Sequence, residues 1–229
     1  MEPTKTKSDL VLYRLFQLIS PSLPIGGFTY SQGLEWAVEA GWVDGRHAME
    51  DWLANMLLNS VATLELPLIE QYMQALRDDD MEKIRHCSEL LYSSRETREL
   101  RAEERQRGLA LKTLLKQLDI EHACFLDGEL EMNQLLGLCI AAQHWNIESL
   151  ALKQGYLWSW AENLVMAGVK LVPMGQTDGQ RVLIHLSELF PQALLQAEQT
   201  EDWMIGSFTP SVSIASSLHE TQYTRLFRS

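Results

Sequence analysis

The sequence predicts an all-α protein, a single-domain helical bundle of about eight to ten helices with a flexible C-terminal arm. Three observations predict it. Leucine and alanine dominate while β-branched residues are thin, apolar positions recur every three or four residues, and the period-2 alternation of strands is nearly absent. At 229 residues one domain buries enough apolar surface to fold without disulfide or metal staples.

Asp9 stands where it can cap a first helix over Leu10 to Ile19, which ends against the turn-rich Ser20-Pro21-Ser22-Leu23-Pro24-Ile25-Gly26-Gly27. Tyr30 to Ala40 reads as a short helix stopped by Gly41. Gly45 to Glu65 reads as a longer amphipathic one carrying Met49, Trp52, Leu53, Met56 and Leu57. Pro67 opens the next helix, in which Leu68 to Arg77 runs into Asp78-Asp79-Asp80, and a further helix carries Ile84, Cys87, Leu90 and Leu91. Residues 95 to 107 hold five arginines and four glutamates at helical spacing, with Arg95/Glu99 and Glu103/Arg107 as (i, i+4) pairs, the pattern of a solvated face.

Ile147 to Leu171 is apolar on two faces, so it belongs at the centre of the bundle. Val172-Pro173-Met174-Gly175 ends it, and Val182 to Phe190 with Ala193 to Gln199 completes a helical body over residues 1–200. Residues 201–229 change character: Ser207, Ser211, Ser213, Ser216 and Ser217 crowd a stretch with few packed apolar residues, which reads as a mobile arm that orders on a partner. If its end were helical, Tyr223, Leu226 and Phe227 would share one face.

The charge balance excludes whole classes of partner. With 31 acidic against 19 basic side chains the net charge is −12 and the sequence pI ≈ 4.9, the wrong sign for neutralising the phosphates of nucleic acid or an anionic membrane. From Ser211 onward Arg225 and Arg228 face Glu220 alone, a local excess of positive charge on an acidic chain. Three scattered cysteines without a CxxC pair point to reduced thiols and a cytoplasmic protein. The longest uninterrupted apolar run, Leu135 to Ala142, is too short to span a bilayer.

Catalytic signatures are sparse. Walker A, HExxH, GxSxG and strand-borne GxGxxG motifs are absent. Asp78-Asp79-Asp80-Met81-Glu82 matches the DDxxE pattern that holds Mg²⁺ and a diphosphate in helical enzymes, but it lacks a second acidic motif, and Asp80 doubles as a helix N-cap. His122-Ala123-Cys124 has metal-like spacing with too few ligands for a closed site. His219 beside Glu220 is the more accessible candidate for a transient metal or acidic contact. Gly175 to Gln180 reads as a helix stop followed by an Asp- or Thr-capped start rather than a phosphate cradle.

Three separated segments carry a resemblance. Leu15 to Glu35 (LFQLISPSLPIGGFTYSQGLE), Val172 to Gln180 (VPMGQTDGQ) and His219 to Ser229 (HETQYTRLFRS) are similar in order and spacing to the urease accessory protein family UreF, with Thr29 where that family often has Ser. The resemblance implies an all-α homodimer with no catalytic role of its own. It implies binding to the accessory protein UreD (also UreH) through the termini and recruitment of the GTPase UreG. The assembly then delivers nickel to apo-urease, the metal being handled by the complex with no firmly bound cofactor on this chain. The arm residues so implied for the UreD/UreH contact are His219, Glu220, Tyr223, Arg225, Leu226, Phe227 and Arg228. Pro24, Gly26, Phe28, Tyr30, Ser31, Glu35, Gln176, Asp178, Gly179 and Gln180 are expected on a dimer or GTPase-facing surface. Direct regulation of the GTPase, with an arginine reaching its site, is the alternative, and a Mg²⁺-dependent enzyme at Asp78 to Glu82 the remote one.

Overall fold

The computed structural model describes residues 7–229. Ten α-helices, three short 3-10 turns and one π-helical segment account for its regular structure, with no strand among the described residues. Helices α1 (Lys7–Ile19), α2 (Leu34–Glu39), α3 (Arg46–Met56), α4 (Leu66–Arg77), α5 (Met81–Ser93), α6 (Arg98–Gln117), α7 (Gln134–His144), α8 (Ser149–Leu171), α9 (Gln176–Gln199) and α10 (Pro210–His219) pack around α8. Leu152, Tyr156, Leu157, Trp160, Ala161, Leu164 and Val165 of α8 are all buried, and α1, α2, α4, α7 and α9 lie against it. A helix apolar on two faces thus takes the centre, as its pattern dictates.

Several boundaries differ from the sequence reading for identifiable reasons. Asp9 lies inside the first turn of α1 rather than ahead of it. The second helix begins only at Leu34, because Gln32 (φ 51°) and Gly33 (φ 81°) occupy consecutive left-handed positions that no right-handed helix passes through. The run from Gln134 to Ala142 is an eleventh-hour addition to no periodic pattern: every residue in it is buried, so α7 has no solvent face to announce it. α9 runs through Pro191 as one helix, its Val182, Leu183, Leu186, Ala193 and Ala197 forming one buried face across the proline.

Pro67 does not open a separate helix either. α3 leads into a π-helix over Leu57–Glu65 and on into α4 without a break. Proline at position 67 has no N–H to give the carbonyl four residues back, and the freed Thr63 oxygen accepts instead from Gly206 N at 3.1 Å, with Asn59 O accepting from Phe208 N at 2.8 Å. The irregular turn therefore becomes the anchor for the chain between α9 and α10. This long helix, Arg46–Arg77, is long and apolar enough to cross a membrane, but 72% of its most apolar window is buried inside the fold, as befits a core helix.

The stretch read as a mobile arm is, in the structure, part of the packed body. α10 buries Val212, Ala215, Ser216 and His219 against α2 and the start of α6, and Thr97 Oγ1 meets Ser216 Oγ at 2.8 Å. Serine-rich composition concealed this because small side chains permit close backbone approach. A Cβ on Gly33 would lie 2.9 Å from Ser216 N and 3.2 Å from the Ala215 Cβ, at a φ of +81°. Gly33→Ala is therefore expected to cost about 2 kcal/mol or more, read as a lower urea midpoint at unchanged slope.

Candidate docking site at the chain's C-terminal segment

The site is built from glutamates on two helices. Glu35 lies in the first turn of α2, and Glu99 and Glu103 sit one turn apart on α6, hence on one face. Glu99, Glu103 and Glu104 are buried, which corrects the reading of residues 95 to 107 as a solvated strip. α10 and the segment after it cover that face, and the carboxylates survive burial because each is met by donors. The Glu103/Arg107 pair forms at 2.8 Å. The Arg95/Glu99 pair gives way to another: Arg95 bonds Glu104 at 2.6 Å and Glu65 at 2.9 Å. Although burial of much of its side chain works the other way, those two carboxylates hold the Arg95 guanidinium well above its ordinary pKa.

Gln32 Nε2 donates to Glu103 at 3.1 Å, and residues 219–229 supply further donors. His219 has no exposed surface. Its Nδ1 lies 2.6 Å from Glu99 Oε2 and its Nε2 3.2 Å from Glu35 Oε2. The sequence reading of this histidine as an accessible metal contact is thereby corrected, since both ring nitrogens are committed in the interior. Glu220 turns to the backbone of α6, accepting from Arg98 N at 2.8 Å and Glu99 N at 3.3 Å, a carboxylate on a helix N-terminus. Arg225 Nη1 donates to Glu99 Oε1 at 2.7 Å, and the backbone N–H groups of Leu226 and Phe227 donate to Glu35 at 2.6 and 2.8 Å. Arg228 N donates to Thr29 O at 2.9 Å, and its side chain reaches Gln106 at 3.2 Å. Ser229 Oγ donates to Glu103 at 3.1 Å, while its main-chain oxygen accepts from Ser31 N at 2.6 Å and Ser31 Oγ at 2.5 Å.

Residues 220–229 are not helical, so Tyr223, Leu226 and Phe227 do not share a helical face. Phe227 points inward at 6% exposure beneath the Lys170 ammonium, whereas Leu226 is 66% exposed and Tyr223 fully exposed. The segment divides into residues that hold it and residues that it displays.

The expected surface residues divide in the same way. Tyr30, Ser31 and Glu35 are buried beneath the segment; the Tyr30 hydroxyl donates to Gln106 at 2.8 Å, and burial, then the Glu103 charge, raises its pKa. Pro24 and Phe28 are exposed, and Gly26 supplies a left-handed turn (φ 72°). Gln176, Asp178, Gly179 and Gln180 form the opening turn of α9, capped by no side chain. Asp178 accepts from Arg181 at 2.8 Å, Gln176 and Gln180 are exposed, and Gly179 lets α9 cross close to α8, since a Cβ there would lie 2.7 Å from Val169.

The other candidates serve local structure. Asp80 caps α5, accepting from Lys83 N at 2.9 Å. Asp78 accepts from Gln74 at 2.6 Å, and Asp79 holds the positive-φ corner (φ 53°). His122 Nδ1 accepts from Cys124 N at 3.2 Å, and burial pushes the Cys124 thiol up to about 11, so it is protonated near neutrality. Among the described residues no group of three or more His, Cys, Asp and Glu side chains is arranged to hold a metal ion.

Fold and site together define an all-helical protein whose most developed feature is its own C-terminal segment, clasped by buried carboxylates and displaying apolar side chains outward. The family model of UreF matches residues 43–187. Proteins named urease accessory protein UreF from Alcanivorax borkumensis (47% identical, covering 97% of this chain and all of that protein) and Pseudomonas putida (48% identical, covering 97% and 99%) align along nearly the whole length. One from Marinomonas, at 39% identity, covers 97% of this chain and 96% of its own. The chain belongs to the UreF family of urease accessory proteins.

Glu35→Ala removes the acceptor of two backbone N–H groups and one partner of His219. Residues 221–229 are expected to lose hydrogen-exchange protection and gain protease sensitivity while helicity is retained; protection equal to the parent's contradicts this role for Glu35.

Proposed function

We propose that the chain is an assembly scaffold for urease maturation. It binds a UreD/UreH-type accessory protein through residues 219–229, recruits a UreG-type GTPase, and so serves GTP-dependent nickel insertion into apo-urease in the cytoplasm, as a homodimer. Family membership supports the accessory role in urease maturation. The observation that carries the choice of surface is the division of the C-terminal segment: Tyr223 and Leu226 face solvent from a backbone that Glu35, Glu99 and Glu103 hold in place. Two exposed apolar side chains on a pinned backbone bind with little further loss of backbone entropy. A partner that covers them binds only the docked form, so the ordering expected of residues 201–229 takes the form of a population shift within the last ten residues.

Arg225 and Arg228 are held by Glu99 and Gln106, which favours a scaffold over an arginine supplied in trans to the GTPase. Nickel is cargo in this reading and is held by the complex.

Deleting residues 219–229 is expected to abolish co-purification of the UreD/UreH-type partner and urease activation. Tyr223→Ala with Leu226→Ala separates display from clasp: at about 2 kcal/mol for each anchor, partner affinity falls about a thousandfold with the melting temperature unchanged. Undiminished affinity in the double variant overturns the assignment of this surface. Asp79→Asn with Asp80→Asn is expected to leave urease activation intact, and lost activation at normal solubility would instead favour the carboxylate-site reading.

A further inference from the structure

Two buried polar atoms lie beside small cavities with no hydrogen-bond partner from the protein. Arg107 Nε is one and Glu65 Oε2 the other. Arg107 lines a cavity of about 20 Å³ with Tyr30, Gln32, Glu103, Ser159 and Asn163. Glu65 lines a second, also of about 20 Å³, with Gln32, Ser60, Arg95, Ser207 and Thr209. Gln32 belongs to both walls, so the cavities flank one side chain. Each exceeds the roughly 10–15 Å³ that one water needs, and each offers the several polar partners that hold one.

We propose that two ordered water molecules are integral to this fold, one accepting a hydrogen bond from Arg107 Nε and one donating to Glu65 Oε2. An unpartnered charged-group atom in the interior is destabilising, and a water with hydroxyl or amide neighbours removes that cost. Water fits the Glu65 cavity better than a cation does, because the Arg95 guanidinium lies in the same wall and bonds the other oxygen of Glu65 at 2.9 Å. The waters complete the Arg107–Glu103 pair, whose glutamate receives Ser229, and the pairs of Arg95 with Glu65 and Glu104 beside Ser207 and Thr209.

Oxygen-17 relaxation dispersion on the full chain counts long-lived internal waters. Ser60→Val and Ser159→Val each fill one cavity and remove a polar neighbour, so each is expected to lower the dispersion amplitude by one water and the double variant by two. Equal amplitudes in parent and variants overturn the proposal. Should the valine variants not fold, a high-resolution crystal structure of the parent grown with rubidium decides: density within about 3 Å of both atoms without a rubidium anomalous signal supports it. Empty cavities, or rubidium at Glu65, refute it.

Discussion

A carboxylate withdrawn from water must be met by donors or lose its charge, and that requirement organises this protein. Glu35, Glu99 and Glu103 are buried on α2 and α6, and donors for all three come from residues 219–229: an imidazole, a guanidinium, two backbone amides and a hydroxyl. Removing one partner of such a buried set costs more than forming it gains, so the segment and the acids it covers depend on one another. The acidic excess of the sequence is partly an interior feature, matched by the cationic excess in the chain's last residues. The two halves of that match lie more than a hundred positions apart.

The class of fold and the central helix were legible because they depend on composition and on the two-faced pattern of Ile147 to Leu171, which follow directly from burial. The segments that misled did so where packing overrides periodicity. Leu135 to Ala142 is buried all round and has no amphipathic signature. Pro67 and Pro191 each interrupt a pattern that tertiary contacts carry through. Ser216 and its neighbours gave a disordered composition to a helix that needs small residues to lie against Gly33.

At the site the motif segments were legible, but the roles of their residues were not. Nothing in HETQYTRLFRS distinguishes the inward Phe227 from the outward Leu226, because the backbone between them is irregular. Glu99 and Glu103 were hidden in a strip whose alternating signs imitate a solvated helix. What marks them is the complementary charge of a segment far along the chain, and long-range pairing of that kind leaves no local pattern. Tyr30, Ser31 and Glu35, which the motif places on a dimer or GTPase-facing surface, form the seat beneath that segment.

The π-helical passage over Leu57–Glu65 also carries more chain than an α-helix of the same number of turns would. A turn closed by an i→i+5 bond holds about one residue more than an α turn, so removing a single residue there lets the wide turns relax to the ordinary pitch and leaves α4 in nearly the same phase relative to α3. Leu68, Ile69, Tyr72 and Met73 would keep their places in the core. The extra length is consequently held for what the wide turns do locally, presenting the Asn59 and Thr63 carbonyls that receive Phe208 and Gly206, and not for the orientation of the helix that follows.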